Sequence, residues 1–190
     1  MGVKGRIVVQ VEPDRIGVVI GKGGSTRKMI EERLNVKLWI DSNTGEVFII
    51  PRQETTASEL LKARDVVRAL AAGFDPDTAI LLAEDAYTLD VIDLKEVARS
   101  REDLVRIKGR IIGEEGKARR MIEEMSGARL VIGDRHVAIV GDYEQVRVAR
   151  EAVEMLIRGR QHRTVYDFLR RMRRELERRR LDLWERMGGF

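Results

Sequence analysis

Residues 20–40 read I-G-K-G-G-S-T-R-K-M-I-E-E-R-L-N-V-K-L-W-I, and residues 112–132 read I-G-E-E-G-K-A-R-R-M-I-E-E-M-S-G-A-R-L-V-I. At a constant offset of 92, with no gap, ten of the 21 positions are identical: Ile20, Gly21, Gly24, Arg27, Met29, Ile30, Glu31, Glu32, Leu38 and Ile40 recur as Ile112, Gly113, Gly116, Arg119, Met121, Ile122, Glu123, Glu124, Leu130 and Ile132. Chance does not produce this, and a self-similarity of that kind decides the architecture before any local propensity does. The match extends upstream to Gly17/Gly109. Downstream, V-F-I-I at 47–50 answers V-A-I-V at 137–140 across a turn two residues shorter. The chain is two copies of one module.

Each copy predicts the same elements. The β-branched stretches at 6–11 and 104–108 read as strands. A short apolar segment follows, 16–20 or 109–112, then a glycine pair, then a helical pattern with Met29, Ile30 and Leu34 on one face in the first copy and Met121, Ile122 and Met125 in the second. Next come strands in which Val36, Leu38 and Ile40, or Ala128, Leu130 and Ile132, hold alternate positions, so each apolar set lies on one face. Turn-forming residues at 41–46 and 133–136 lead to a third strand, and helices at about 56–72 and 143–158 close the copies. The predicted class is α+β, in the order β-α-α-β-β-α. Between the copies, 75–100 holds a capped helix start, D-P-D-T at 75–78, and a strand-like Y-T-L-D-V-I at 87–92, which together predict a structured connector. The expected divisions are 1–84, a connector at 85–102, 103–160, and a C-terminal helix at 161–190.

The sharpest chemical feature is Gly21-Lys22-Gly23-Gly24 where an apolar segment gives way to a helix. Glycine lets backbone approach a ligand closely, and the helix start offers free N–H groups at its positive end, so the turn suits phosphate. Neither G-x-x-x-x-G-K-[ST] nor G-x-G-x-x-G spacing is present, which disfavours a mononucleotide or dinucleotide cofactor. Arg27 and Lys28 follow on the helix. In the second copy the turn is Gly113-Glu114-Glu115-Gly116, and its two carboxylates repel phosphate, with Lys117, Arg119 and Arg120 placed to compensate. The first copy is expected to make the stronger electrostatic contact, whereas the second either binds with stricter geometry or mainly holds the architecture. Glu31-Glu32 and Glu123-Glu124 stand four residues from Arg27, Lys28, Arg119 and Arg120 and read as solvated helix ion pairs.

A glycine pair with an I-I or V-I lead-in, a basic helix after it, this strand order and a second copy resemble the KH family of single-stranded RNA and DNA binders, in its type I arrangement. That resemblance implies two tandem KH domains, each a three-stranded antiparallel sheet packed on helices, whose G-x-x-G loop clamps the backbone of about four nucleotides. Carried over position by position, it implies RNA binding by Ile20, Gly21, Lys22, Gly23, Gly24, Arg27, Lys28 and Ile40, and by Ile112, Gly113, Gly116, Lys117, Arg119, Arg120 and Ile132. The four isoleucines would line the base grooves. Trp39 borders the first groove on the face opposite the core set, where stacking on a base, stacking on the other module and buried packing are all open.

Composition narrows the function classes. The 190 residues contain no Cys and two His, which removes disulfides, thiolate metal sites and a cysteine nucleophile, and neither His136 nor His162 has a catalytic partner at motif spacing. No cofactor or metal is expected, and no enzyme activity. A hydrophobic content of 43% supports a core, no window approaches a membrane span, and the N-terminus lacks a signal-peptide apolar core, so a cytoplasmic protein is expected. The net charge of +4 is unevenly placed. Residues 158–190 hold eleven Arg and five acids, a net +6, which leaves the rest at −2. There Val165, Phe168, Leu169, Met172, Leu176, Leu183, Trp184 and Met187 recur at helical spacing with Arg elsewhere, predicting a basic amphipathic helix whose Arg face suits RNA and whose apolar face suits packing on the modules or on a protein partner.

Two such modules, with G-F-D-P-D-T-A-I-L-L at 73–82, Y-T-L-D-V-I-D-L at 87–94 and the block 107–141, resemble the archaeal branch of the KH proteins of small-subunit ribosome biogenesis. What this implies is a non-enzymatic factor that binds the 3′-terminal region of pre-16S rRNA and assists its processing. The implied partners are the endonuclease that matures that 3′ end and the α subunit of translation initiation factor 2. In the eukaryotic relatives the first module has lost its glycine motif, whereas Gly21 to Gly24 is intact here. Alternatives are an adaptor whose chief surface binds protein on KH scaffolds, a generic KH regulator and, most weakly, a nuclease.

Overall fold

Alternation in the first strands sets the two-layer plan. The computed structural model describes residues 5–186. The first unit, which ends at Leu89, runs β1 (Ile7–Gln10), α1 (Pro13–Ile20), a 3-10 turn (Lys22–Gly24), α2 (Ser25–Arg33), β2 (Val36–Asp41), β3 (Glu46–Pro51) and α3 (Ala57–Ala72), then the short α4 (Pro76–Ala79) and a second 3-10 turn (Ile80–Ala83). Its antiparallel sheet has the order β1-β3-β2, with Val9 opposite Val47 and Leu38 opposite Ile49. Val9, Val36, Leu38, Val47 and Ile49 are buried beneath Ile16, Val19, Ile30, Val67 and Leu70 of the helices, as period-two and period-3.6 patterns require.

The second unit begins within β4 (Tyr87–Asp93) and continues through α5 (Arg101–Ile112), a 3-10 turn (Glu114–Gly116), α6 (Lys117–Ser126), β5 (Arg129–Ile132), β6 (His136–Asp142), α7 (Tyr143–Ile157) and α8 (His162–Arg186). Its sheet has the order β4-β6-β5. Both units therefore present β-α-α-β-β-α, as two tandem type I KH domains require.

One sequence expectation is corrected. Residues 104–108 are not a strand. They lie in α5, where Leu104, Ile107 and Ile111 follow helical spacing and Ile107 and Ile111 are buried in the second core. The first strand of that copy is β4, which was read as part of the connector. For the apolar face of the C-terminal helix, packing on the module is the expectation that holds over its first half. Val165, Phe168, Leu169 and Met172 are buried in the same core as Ile107, Ile122, Leu130 and Leu156. Burial of each is worth roughly 1.5–3 kcal/mol, which together matches a typical domain stability of about 5–15 kcal/mol. Leu183 and Trp184 lie beyond this packing and are exposed, and Met187 lies outside the described residues.

The closing helices carry their own end signals. Thr56 and Glu59 form a reciprocal cap on α3, and Asp142 and Gln145 do the same for α7. An arginine ties each glycine-turn helix to the end of its closing helix. Arg15 donates to the carbonyls of Leu70 and Phe74 at 2.9–3.1 Å, and Arg110 donates to those of Leu156 and Arg160. These bonds add to the capping of the carbonyls at each helix end, and they fix where the glycine turns stand.

Candidate nucleic-acid interface

Both glycine turns have the same backbone. The first glycines, Gly21 and Gly113, have φ/ψ of 75°/168° and 73°/173°, and the last, Gly24 and Gly116, have 79°/17° and 76°/13°. The first glycine is required by close approach. A Cβ on Gly21 would stand 2.3 Å from Thr26 Oγ1 and 2.5 Å from its backbone nitrogen, and one on Gly113 would stand 2.7 Å from Ala118 Cβ and nitrogen. The third position differs. Gly23 (φ 60°) and Glu115 (φ 49°) are both left-handed, so the second copy holds a side chain in a conformation that L-residues disfavour by roughly 1–2 kcal/mol. Arg120 Nη1 donates to the Glu115 carbonyl at 2.8 Å and braces that strained turn.

This bond commits one N–H group of the exposed Arg120 guanidinium to the loop itself. Other charges sort likewise. Lys22 and Lys28 are exposed and, among the described residues, make no ion pair, whereas Arg27 pairs with Glu31 at 3.0 Å and Arg119 with Glu123 at 3.4 Å. Lys117, beside exposed Glu114 and Glu115, is the cation of the second turn that makes no ion pair among the described residues. The first turn thus leaves two cations open to a phosphate, and the second leaves one cation against two carboxylates.

Glu31 and Glu123 do more than pair with arginine. Glu31 Oε1 accepts the amide of Leu38 at 2.8 Å, and Glu123 Oε1 accepts the amide of Leu130 at 2.8 Å. Because β2 and β5 are edge strands, these amides lack a ladder partner on that side. The carboxylate staples the strand bordering each groove to the helix after the glycine turn. Ile20, Ile40 and Ile132 are half-buried, and Ile112 is 37% exposed, so apolar surface remains open at the end of the helix before each turn and on the edge strand. Trp39 is 52% exposed on the outer face of the sheet, tilted 5.0 Å from Phe48, which excludes buried packing.

The histidines are structural. His162 Nε2 lies 2.8 Å from the Arg110 carbonyl and ties the start of α8 to α5, while the His136 ring packs so closely on Gly133 that a Cβ there would come within 2.4 Å. Among the described residues no cluster of His, Cys, Asp and Glu could hold a metal, and no helix is long and apolar enough to cross a membrane.

The KH domain family model matches residues 6–65, and the model described as the eukaryotic type KH-domain (KH-domain type I) matches 88–174. The chain is 44% identical over 180 residues to KH domain-containing protein MJ0443 of Methanocaldococcus jannaschii, covering 94% of this chain and 79% of that one. It superposes with a TM-score of 0.83 and 41% identity on a chain of the a/eIF2alpha-aDim2p-rRNA complex from Pyrococcus horikoshii, covering 90% of this chain and 95% of that one. The chain belongs to the two-KH-domain family of PNO1 and Dim2p. Among eukaryotic members, the pre-rRNA-processing protein PNO1 of Eremothecium gossypii is 34% identical over 149 residues, which are 77% of this chain and 56% of that protein. The chain spans about half the length of that relative.

In this chain the two G-x-x-G turns share a geometry and part in charge. The structural signals missed from sequence are Thr26 and Ala118, the residues that the first glycines must clear, and the edge-amide bonds of Glu31 and Glu123. A small residue five positions after each first glycine is the trace of the former.

Proposed function

We propose that the chain is a single-stranded RNA-binding factor of small-subunit ribosome biogenesis, not an enzyme, which binds the 3′-terminal region of pre-16S rRNA and assists its processing. Its likeness, over nearly the whole of both chains, to a Dim2p solved in complex with rRNA and a/eIF2alpha carries this conclusion. The glycine turns supply the means. Amides at the starts of α2 and α6, with Lys22, Lys28 and Lys117, hold the backbone, while bases enter beside Ile20 and Ile40 or Ile112 and Ile132. Gly23 and Gly24 have open space where a side chain would stand, which leaves room for a phosphate against the backbone.

The partners that follow are the α subunit of translation initiation factor 2 and the endonuclease that matures the rRNA 3′ end, and the compartment is the cytoplasm. A docking role for protein is supported by the far part of α8, where Leu181, Leu183 and Trp184 are exposed beyond the packed segment. Truncation after Glu177 leaves every buried α8 residue in place. Loss of nuclease or initiation-factor binding with RNA affinity intact would assign that end to protein, and a flatter salt dependence of RNA binding would assign it to phosphate.

Crosslinking the protein to RNA in its own cells and mapping the sites tests the whole proposal. Enrichment at the 3′ end of small-subunit rRNA is expected. Sites scattered over messenger RNAs would replace it with a generic KH regulator.

A further inference from the structure

The two copies carry their charge at opposite ends of the same helix. In the first, the turn after α1 is basic and the helix opens on Glu12, Pro13 and Asp14, all exposed. In the second, the turn after the helix is acidic, and α5 has twelve residues against the eight of α1. By the offset of 92, α1 starts opposite Val105, so the turn 101–104 is an addition with no helical counterpart in the first copy.

That added turn walls an open cleft of about 720 Å³, together with the segment before α5 and the β5–β6 turn. Five cations line it, Lys95, Arg99, Arg101, Lys108 and Arg135, against one carboxylate, Asp134. Lys108 Nζ lies 3.6 Å from the Asp134 carboxylate, and the other four cations make no ion pair among the described residues. Of the two acids of the added turn, neither Glu102 nor Asp103 lines the cleft, and Asp103 is engaged by its neighbours. Asp103 accepts the Arg99 amide at 3.0 Å and the Arg106 guanidinium at 2.6 Å, bonds that hold its carboxyl below the ordinary range.

The cleft also lies in line with the second groove. Arg101, Lys108 and Ile112 stand at i, i+7 and i+11 of α5, which is one helix face, and the step from Lys108 to Ile112 is about 6 Å along the axis. Arg135 follows Ile132 by three residues. The volume exceeds what a lone phosphate needs and falls within the range of about 300–1,000 Å³ for ligand sites, while four unpaired cations spread over its walls match a repeating polyanion.

We propose that this cleft is a phosphate-binding extension of the second copy's groove, holding the backbone of single-stranded RNA that flanks the nucleotides in the groove. It rests on the RNA-binding function proposed above. It relocates the cationic grip of the second copy from the glycine turn, where Glu114 and Glu115 oppose phosphate, to the other end of α5.

The test uses the full chain with Lys22→Asp and Gly23→Asp, so that the second copy reports. Fluorescence anisotropy measures binding of a tetranucleotide from the 3′ end of small-subunit rRNA, and of the same tetranucleotide extended by four residues on its 5′ or its 3′ side. Extension on one side only should tighten binding about tenfold and steepen the salt dependence. Arg99→Gln/Arg101→Gln/Arg135→Gln, all at exposed positions, should abolish that gain while leaving tetranucleotide affinity and the circular dichroism spectrum unchanged.

A tetranucleotide that binds with no gain on extension, or a gain that survives the triple substitution, overturns the cleft while RNA binding by the second copy stands. No binding at any length overturns both. Inorganic phosphate alone, titrated against the arginine side-chain resonances, covers the other source: saturation by phosphate without a gain from RNA extension marks a free-anion site and overturns the proposal. Retention of oligoglutamate by the three arginines, again with no RNA gain, overturns it in favour of an acidic peptide.

Discussion

The two glycine turns share their backbone and oppose each other in charge. Gly21 and Gly113 have nearly superimposable dihedral angles and the same intolerance of a Cβ, yet Lys22 stands where the second copy has Glu114, and Gly23 where it has the strained Glu115. The repeat therefore preserves the shape that packs the helices, whereas the exposed positions were free to diverge. Shape here is a property of the core, and charge is a property of two or three side chains outside it.

The largest effect should come from attacking what the copies share. Gly21→Ala and Gly113→Ala each drive a methyl group into backbone atoms of the next helix, and each should cost about 3 kcal/mol in denaturant unfolding. A cost below about 1 kcal/mol at either site would show that its turn relaxes freely. A smaller effect should follow from attacking what they do not share. Lys22→Asp/Gly23→Asp should weaken single-stranded RNA binding about tenfold or more with an unchanged circular dichroism spectrum, because Glu115 shows that the third position accepts an acidic side chain. Unchanged affinity would remove the first turn from the RNA path.

The converse exchange sharpens the contrast. Glu114→Lys/Glu115→Gly gives the second turn the first turn's sequence, which should raise RNA affinity about threefold to tenfold and relieve about 1 kcal/mol of left-handed strain. A gain in stability without a gain in affinity would separate the turn's conformation from any electrostatic role.

The smallest effect concerns pH. The Thr56 amide and hydroxyl hold the Glu59 carboxyl below its ordinary value, and the Thr78 amide does the same for Asp75. Groups whose pKa is lowered by folding stabilise above the unfolded value, and lose that contribution as pH falls through the folded one. Unfolding followed on the acid side should therefore show the wild type losing more stability than Glu59→Gln. Parallel curves would mean that the cap acts without its charge.

Much of the fold was legible because identity at fixed offset survives where buried residues must pack, as at Ile30/Ile122 and Leu38/Leu130. The misread strand at 104–108 shows where legibility stopped. β-branched content was matched to the first copy's opening strand, but two residues separate β1 from α1 and seven separate β4 from α5, so the constant offset fails there. The spacing of Leu104, Ile107 and Ile111 was the helical signal, and exposed Val105 obscured it. The same misreading hid Lys95, Arg99 and Arg101 in a connector. At the site, glycine positions and cations were visible, whereas pairing was not: that Arg120 turns back to the Glu115 carbonyl, or that Glu31 reaches an edge amide seven residues on, depends on side-chain paths that spacing alone does not specify.

The burial of Val165 to Met172 in the second core bears on how the protein is made. The first unit has all its strands and helices once the chain has grown to Leu89, but the second lacks part of its interior until α8 has been synthesised. At about 5–20 residues per second, a few seconds separate the end of β6 from Met172, an interval in which a complete sheet with an exposed apolar face awaits its final helix. A ribosome that stalls shortly before residue 165 would release a finished first module joined to an unfinished second, a product that cellular proteases can recognise by its open core.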